Sequence, residues 1–211
     1  MKWILGGAGV AGVALMLGSC ATMSEDQCRA GDWGGVGFAD GAAGYTADRI
    51  QEHAKACAKH QIAPDFAVYS AAREDGLRRY CTPESGFSAG RRGASYARVC
   101  PAELEGDFLP AYEDGRVTHA AESALESARS SVDGYARRLE ELDDKLRAKQ
   151  EELRQEGLTD EQREQIRNRI QEVRQERRDR ERDWRRAQDE LREAERRWDE
   201  VRWRFGSRYR I

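Results

Sequence analysis

No apolar run in this 211-residue chain is long enough to cross a bilayer. The longest, Trp3–Leu17, covers fifteen residues where a spanning helix needs about 20. Basic charge is not in excess either: 36 Lys and Arg stand against 39 Asp and Glu, which argues against a general nucleic-acid binder. Cysteine is missing after Cys100, so any covalent stapling belongs to the first half. Several enzyme signatures are missing too. We read no nucleophile elbow, no His-Glu-x-x-His and no Gly-Lys-Ser/Thr that would make a nucleotide loop. No pair of carboxylates lies in apolar context that would separate two pKa values. A non-catalytic role is favoured, and no cofactor or metal is expected.

What is present begins at the N-terminus. Lys2, the apolar run and then Leu17-Gly18-Ser19-Cys20 read as a signal peptide ending in a bacterial lipobox. The pattern resembles lipoprotein signal sequences, which implies cleavage before Cys20 and acylation (palmitate) of that residue. Ala21, where an aspartate would signal inner-membrane retention, implies by the same resemblance the outer membrane, facing the periplasm. Residues 1–19 are then the cleaved signal and 20–27 a short lipidated tether.

Cys28, Cys57, Cys81 and Cys100 remain, an even number in an exported chain, which suggests two disulfides. Four cysteines allow three connectivities and sequence alone does not choose; the favoured one joins Cys28 to Cys57 and Cys81 to Cys100. Residues 28–117 read as a small disulfide-stapled α domain. One helix is expected from Tyr45 to His60 and a second from Pro64-Asp65 to Cys81, ended by Pro83. A third, short one after Cys100-Pro101 carries Leu104, Phe108 and Tyr112. The glycines from Gly31 to Gly44 read as a loop around Trp33 and Phe38, and Gly86, Gly90 and Gly93 as a second loop. Arg91 and Arg92 sit between the last two, where backbone N–H groups and guanidinium forks suit a phosphate or carboxylate. With His53 they form the candidate ligand loop over 86–96. His53, Cys57 and His60 share one helix face, but an oxidised Cys57 would take that trio out of zinc binding.

The series Asp32-Trp33, Asp40-Gly41, His53, Ala56-Cys57, Pro64-Asp65, Tyr69, Gly76-Leu77, Tyr80-Cys81-Thr82-Pro83, Gly86-Phe87, Gly93, Tyr96, Val99-Cys100-Pro101, Phe108, Tyr112 and Gly115 resembles an uncharacterised proteobacterial lipoprotein family. Its domain is of unknown function. The resemblance covers about residues 20–117, supports the stapled domain and the envelope location, and carries no activity.

The second half reads as an antiparallel coiled-coil hairpin over 118–206, with a tail at 207–211. One apolar row is Leu125, Val132, Leu139, Leu146 and Leu153; the other is Ala121, Ala128, Tyr135, Leu142 and Lys149. Gly157 breaks the pattern, and Thr159 to Gln162 is a capping box for the returning helix. Its seam runs Ile166, Ile170, Val173, Arg177, Arg180, Trp184, Ala187, Leu191, Ala194, Trp198, Val201 and Phe205. Folding at 157–159 pairs residues whose numbers total about 319, with large side chains facing small ones. Leu139 and Leu142 then face Arg180 and Arg177, which predicts a looser middle. The arginine run from Arg177 to Arg186 is interleaved with Asp179, Glu181 and Asp183 and reads as a solvated surface. Trp203, Tyr209 and Ile211 lie off the seam.

These readings together predict a mainly α envelope lipoprotein acting as a structural, scaffold or adaptor protein through its hairpin. Its membrane contact is the anchor, it has an envelope protein partner, and its oligomeric state is open. The alternative is a small-ligand or cell-wall-binding domain, with or without hydrolase activity, using loop 86–96.

Overall fold

The computed structural model describes residues 22–211; the signal-peptide reading of 1–19 and the lipidation of Cys20 lie outside them. Among the described residues the structure is helical, with no strand. The chain divides after Gly76 into two compact units.

The first unit holds α1 (Glu25–Ala30), α2 (Trp33–Ala42), α3 (Arg49–Ala58) and most of α4 (Phe66–Tyr80). Ser24 and Gln27 form a capping box that starts α1, and the Asp32 carboxylate accepts from the Gly35 N–H to start α2. The glycine-rich segment expected as a loop is therefore largely a helix. Each interior glycine costs a helix up to about 1 kcal/mol, so tertiary packing must hold α2 in place. Met23, Cys28, Trp33, Ile50, Cys57 and Tyr69 make the core. Met23 is buried in it, so the segment read as a tether joins the fold at its start.

The second unit holds α5 (Pro83–Arg91), α6 (Ala102–Arg154) and α7 (Asp160–Tyr209). Thr82 caps the Ser85 N–H and Pro83 takes the first turn, where its missing N–H costs nothing. Pro83 thus begins a helix that runs through residues 86–91 of the expected loop 86–96. The short helix expected after Pro101 does not end. It continues as α6 for 53 residues, with Pro110 inside it, straight through 117–118 where composition changes.

Both disulfides pair as favoured, Cys28 with Cys57 and Cys81 with Cys100, with Cα atoms 5.5 and 5.7 Å apart. Each ties the stretch before one glycine-rich helix to the stretch before the helix packed against it. This parallel extends to the residues. Gly37-Phe38-Ala39-Asp40-Gly41-Ala42-Ala43-Gly44 matches Gly86-Phe87-Ser88-Ala89-Gly90-Arg91-Arg92-Gly93, and Glu74-Asp75-Gly76 matches Glu113-Asp114-Gly115. The packing matches as well. A methyl at Gly37 would strike the Tyr69 carbonyl oxygen, as one at Gly86 would strike that of Phe108. A methyl at Gly76 would strike the Phe38 carbonyl and crowd the Ala42 N, as one at Gly115 would the Phe87 carbonyl and the Arg91 N. Gly44 and Gly93 both take left-handed φ, at 76° and 69°. The α2/α4 and α5/α6 pairs are two copies of one disulfide-clamped, glycine-packed helix crossing.

From the second crossing α6 and α7 extend as the hairpin. Gly157 turns the chain at φ 83°, a conformation that carries no side-chain penalty in glycine, and the Thr159–Gln162 capping box opens α7. Residues bonded between arms are Arg177 with Asp143, Arg138 with Glu176, and Arg163 with the Leu153 carbonyl. Their numbers total within about five of 319. Every expected seam residue on both arms is buried or half-buried. The middle layer is uneven: Leu142 is fully buried and Arg177 bonds Asp143 and Glu181, while Leu139 is half-buried and a cavity of about 370 Å³ opens beside Arg180 and Tyr135. Arginine stems can cover a leucine with their charged ends in ion pairs at the rim.

Candidate functional sites

The expected ligand loop separates into two places. His53 lies in the first unit, and Arg91 and Arg92 lie at the end of α5 in the second.

In the first unit, Asp40 on α2 stands at the centre of a buried polar network. Its Oδ2 accepts from the Tyr69 hydroxyl at 2.7 Å and lies 2.8 Å from His53 Nε2. His53 Nδ1 is 2.9 Å from Thr22 Oγ1, and Arg49 Nε is 3.8 Å from Asp40 Oδ1. A buried carboxylate is tolerated only with such partners. Burial and then the hydrogen bond to Asp40 push the Tyr69 hydroxyl far above its ordinary pKa. In the sister crossing the positions of Asp40 and Tyr69 are Ala89 and Phe108, both buried. The sister crossing therefore packs without a carboxylate or a hydroxyl at these two positions. One visible effect of the Asp40 network is to hold Thr22, and with it the start of the described chain. Cys57, in its disulfide, is no metal ligand, and among the described residues no group of three or more His, Cys, Asp and Glu could hold a metal ion.

In the second unit, a cavity of about 800 Å³ lies between α5, α6 and the last turn of α7. Glu84, Phe87, Ser88, Arg91 and Arg92 line it from α5, Glu122 from α6, and Arg208, Tyr209 and Arg210 from the end of α7. Arg91 grips Glu122 with two nitrogens, at 2.7 and 3.1 Å. Arg92 donates to Ser88 Oγ, and Arg208 reaches Asp114 at 3.4 Å. Tyr209 closes one wall: its ring stacks on Phe87 with centroids 3.9 Å apart, and its hydroxyl donates to Asp114 at 2.9 Å. Burial, reinforced by the bond to Asp114, pushes the Tyr209 pKa up to about 12. Four guanidinium groups against the Glu84 and Glu122 carboxylates suit an anion.

Sequence reasoning found Arg91 and Arg92 but missed Arg208, Tyr209 and Arg210, over a hundred residues away. Tyr209 and Ile211, expected off the seam, pack at the end of α7 against Phe205 and its neighbours. Trp203 stays 86% exposed. The letters Gly86-Phe87-Ser88-Ala89-Gly90 do spell the Gly-x-Ser-x-Gly of a nucleophile elbow, contrary to the reading above. They lie inside α5, with no strand before them, and the two glycines serve the crossing with α6. Ser88 is exposed on a helix rather than poised on a strained turn.

The described residues define a mainly α protein with two disulfide-clamped crossings and a long hairpin. Residues 32–117, which contain both crossings, match the family model described as a protein of unknown function (DUF2799). No curated protein and no solved structure matches the chain.

Proposed function

We propose that the chain is a lipoprotein of the bacterial outer membrane, anchored through Cys20 and facing the periplasm. It acts as a non-catalytic scaffold or adaptor through its hairpin. The carrying observation is how the hairpin spends its residues. Its apolar seam is consumed between its own arms, while the outer faces carry closely spaced ion pairs such as Arg169–Glu172 and Arg154–Glu151. Such a rod gives reach and modest, salt-sensitive contacts. The two disulfides suit an oxidising envelope compartment, and the lipobox supplies the anchor.

The test shortens the rod without touching its base. Removing residues 139–152 and 167–180 takes two heptads from each arm and preserves the seam. In-cell crosslinking of the full-length and shortened proteins is expected to show an envelope protein partner lost on shortening. Identical neighbours for both would overturn the proposal.

A second reading rests on the basic cavity: a small-ligand or cell-wall-binding domain for anionic muropeptides or phosphorylated glycans. Arg91→Ala with Arg92→Ala is then expected to abolish calorimetric binding of such ligands in a protein that keeps its helical content. No binding by the unmodified protein would remove this reading.

A further inference from the structure

We propose that the α2 face centred on Phe38 is a docking site for an amphipathic helix of another protein, one that presents an aromatic side chain to Phe38. The argument comes from the sister crossing. On α5 the outward positions are Glu84, Phe87, Ser88, Arg91 and Arg92, and this is the face that meets the end of α7. Phe87 is only 5% exposed there, with Tyr209 stacked on it. The matching positions on α2 are Gly35, Phe38, Ala39, Ala42 and Ala43, spaced i, i+3, i+4, i+7 and i+8 along one face. Phe38 is 40% exposed, Gly35, Ala39 and Ala43 are exposed, and Ala42 is half-buried.

Both crossings set their phenylalanine the same way, because Gly76 and Gly115 receive the Phe38 and Phe87 carbonyls alike. One phenylalanine is covered by a helix and the other is not. The chemistry of the occupant follows from the differences. Ala42 and Ala43 replace Arg91 and Arg92, so the face has lost the charge that pairs with Glu122 and flanks Arg208 and Arg210. A fitting helix carries an aromatic residue where α7 has Tyr209 and apolar residues where α7 has arginine. The small side chains around Phe38 let its backbone come close. A second copy of this chain does not supply that helix, because its own Tyr209 is already stacked on Phe87. This surface is independent of the hairpin contacts proposed above.

The test uses the full chain and a synthetic peptide of residues 195–211 with Arg208→Leu and Arg210→Leu, carrying a photo-crosslinker beside Tyr209. Saturable binding is expected, with crosslinks to residues 33–43 and at least about tenfold weaker affinity for Phe38→Glu. Phe38→Ala, the milder change, is expected to weaken it less, and both variants should keep the parent melting temperature. The unmodified peptide is expected to bind more weakly than the leucine version. Absence of saturable binding, binding indifferent to Phe38, or crosslinks confined to α5 would each overturn the proposal. So would self-association of the chain that Phe38→Glu abolishes, since the occupant would then be a second copy.

Discussion

At Gly115 an added methyl group meets backbone on two sides, the Phe87 carbonyl and the Arg91 N, and neither can swing away. Gly115→Ala is expected to cost about 3 kcal/mol, read as a lower chemical-denaturation midpoint. Gly134 lies in the same helix with open space around it, so Gly134→Ala should instead stabilise, by up to about 1 kcal/mol. The contrast explains why the glycines were read as loops: glycine in sequence signals freedom, and only the partner helix shows that it is there for close approach. The clue available in the letters was the repeat itself, Gly-Phe-x-x-Gly-x-x-Gly occurring twice. Tyr209 gives a prediction in pH. Folding raises its pKa from 10 to about 12, so its stabilising share is intact below pH 10 and fades as pH rises through about 12. An absorbance titration should show one late-titrating tyrosine fewer in Tyr209→Phe than in the parent, with Tyr69 still titrating late.

Among the elements, those with strong local signals were legible. Heptad spacing gave the seam, the Thr159 capping box gave the start of α7, and even cysteine number with loop position gave both disulfides. The full length of α6 was not legible, because Pro110 and Gly115 look like breakers; Gly115 is there to receive α5, and Pro110 lies exposed within the continuous helix. Replacing Cys81 and Cys100 with serine is expected to cost about 2–4 kcal/mol, measured as a lower melting temperature equal to that of the parent under reduction of this bridge. In the hairpin, Leu142→Ala should cost about 2–5 kcal/mol, a loss that a loose middle layer would not show. The arms also respond to acid. Arg138 holds the Glu176 carboxyl below its ordinary 4.5. The contribution of that ion pair is present above pH 4.5 and is lost as pH falls through the lowered value. Helicity should therefore decline less steeply in acid for Glu176→Gln than for the parent.

For the whole molecule, the composition change near residue 117 suggested where one part stops, yet the fold of the second unit depends on residues at both ends of the hairpin. A chain ending at Arg116 would strip Tyr209 from Phe87 and leave Asp114 without its bonds from Tyr209 and Arg208. Such a chain is expected to melt well below the heptad-shortened protein, which keeps those bonds; equal melting temperatures would show that the α7 end contributes little. The candidate sites were partly hidden for the same reason. Arg91-Arg92 could be read from neighbouring letters, but the arginines opposite them arrive only when the chain returns. The return path has a mechanical consequence. One arm runs without interruption from the Gly90–Gly115 crossing to the turn near Gly157, roughly 55–60 Å at 1.5 Å per residue, and the other ends on Phe87. A sideways force at the tip therefore acts as a torque on the crossing, prising Tyr209 from Phe87 when the rod is bent one way and pressing it home when bent the other. The hairpin is a lever with the crossing as its fulcrum.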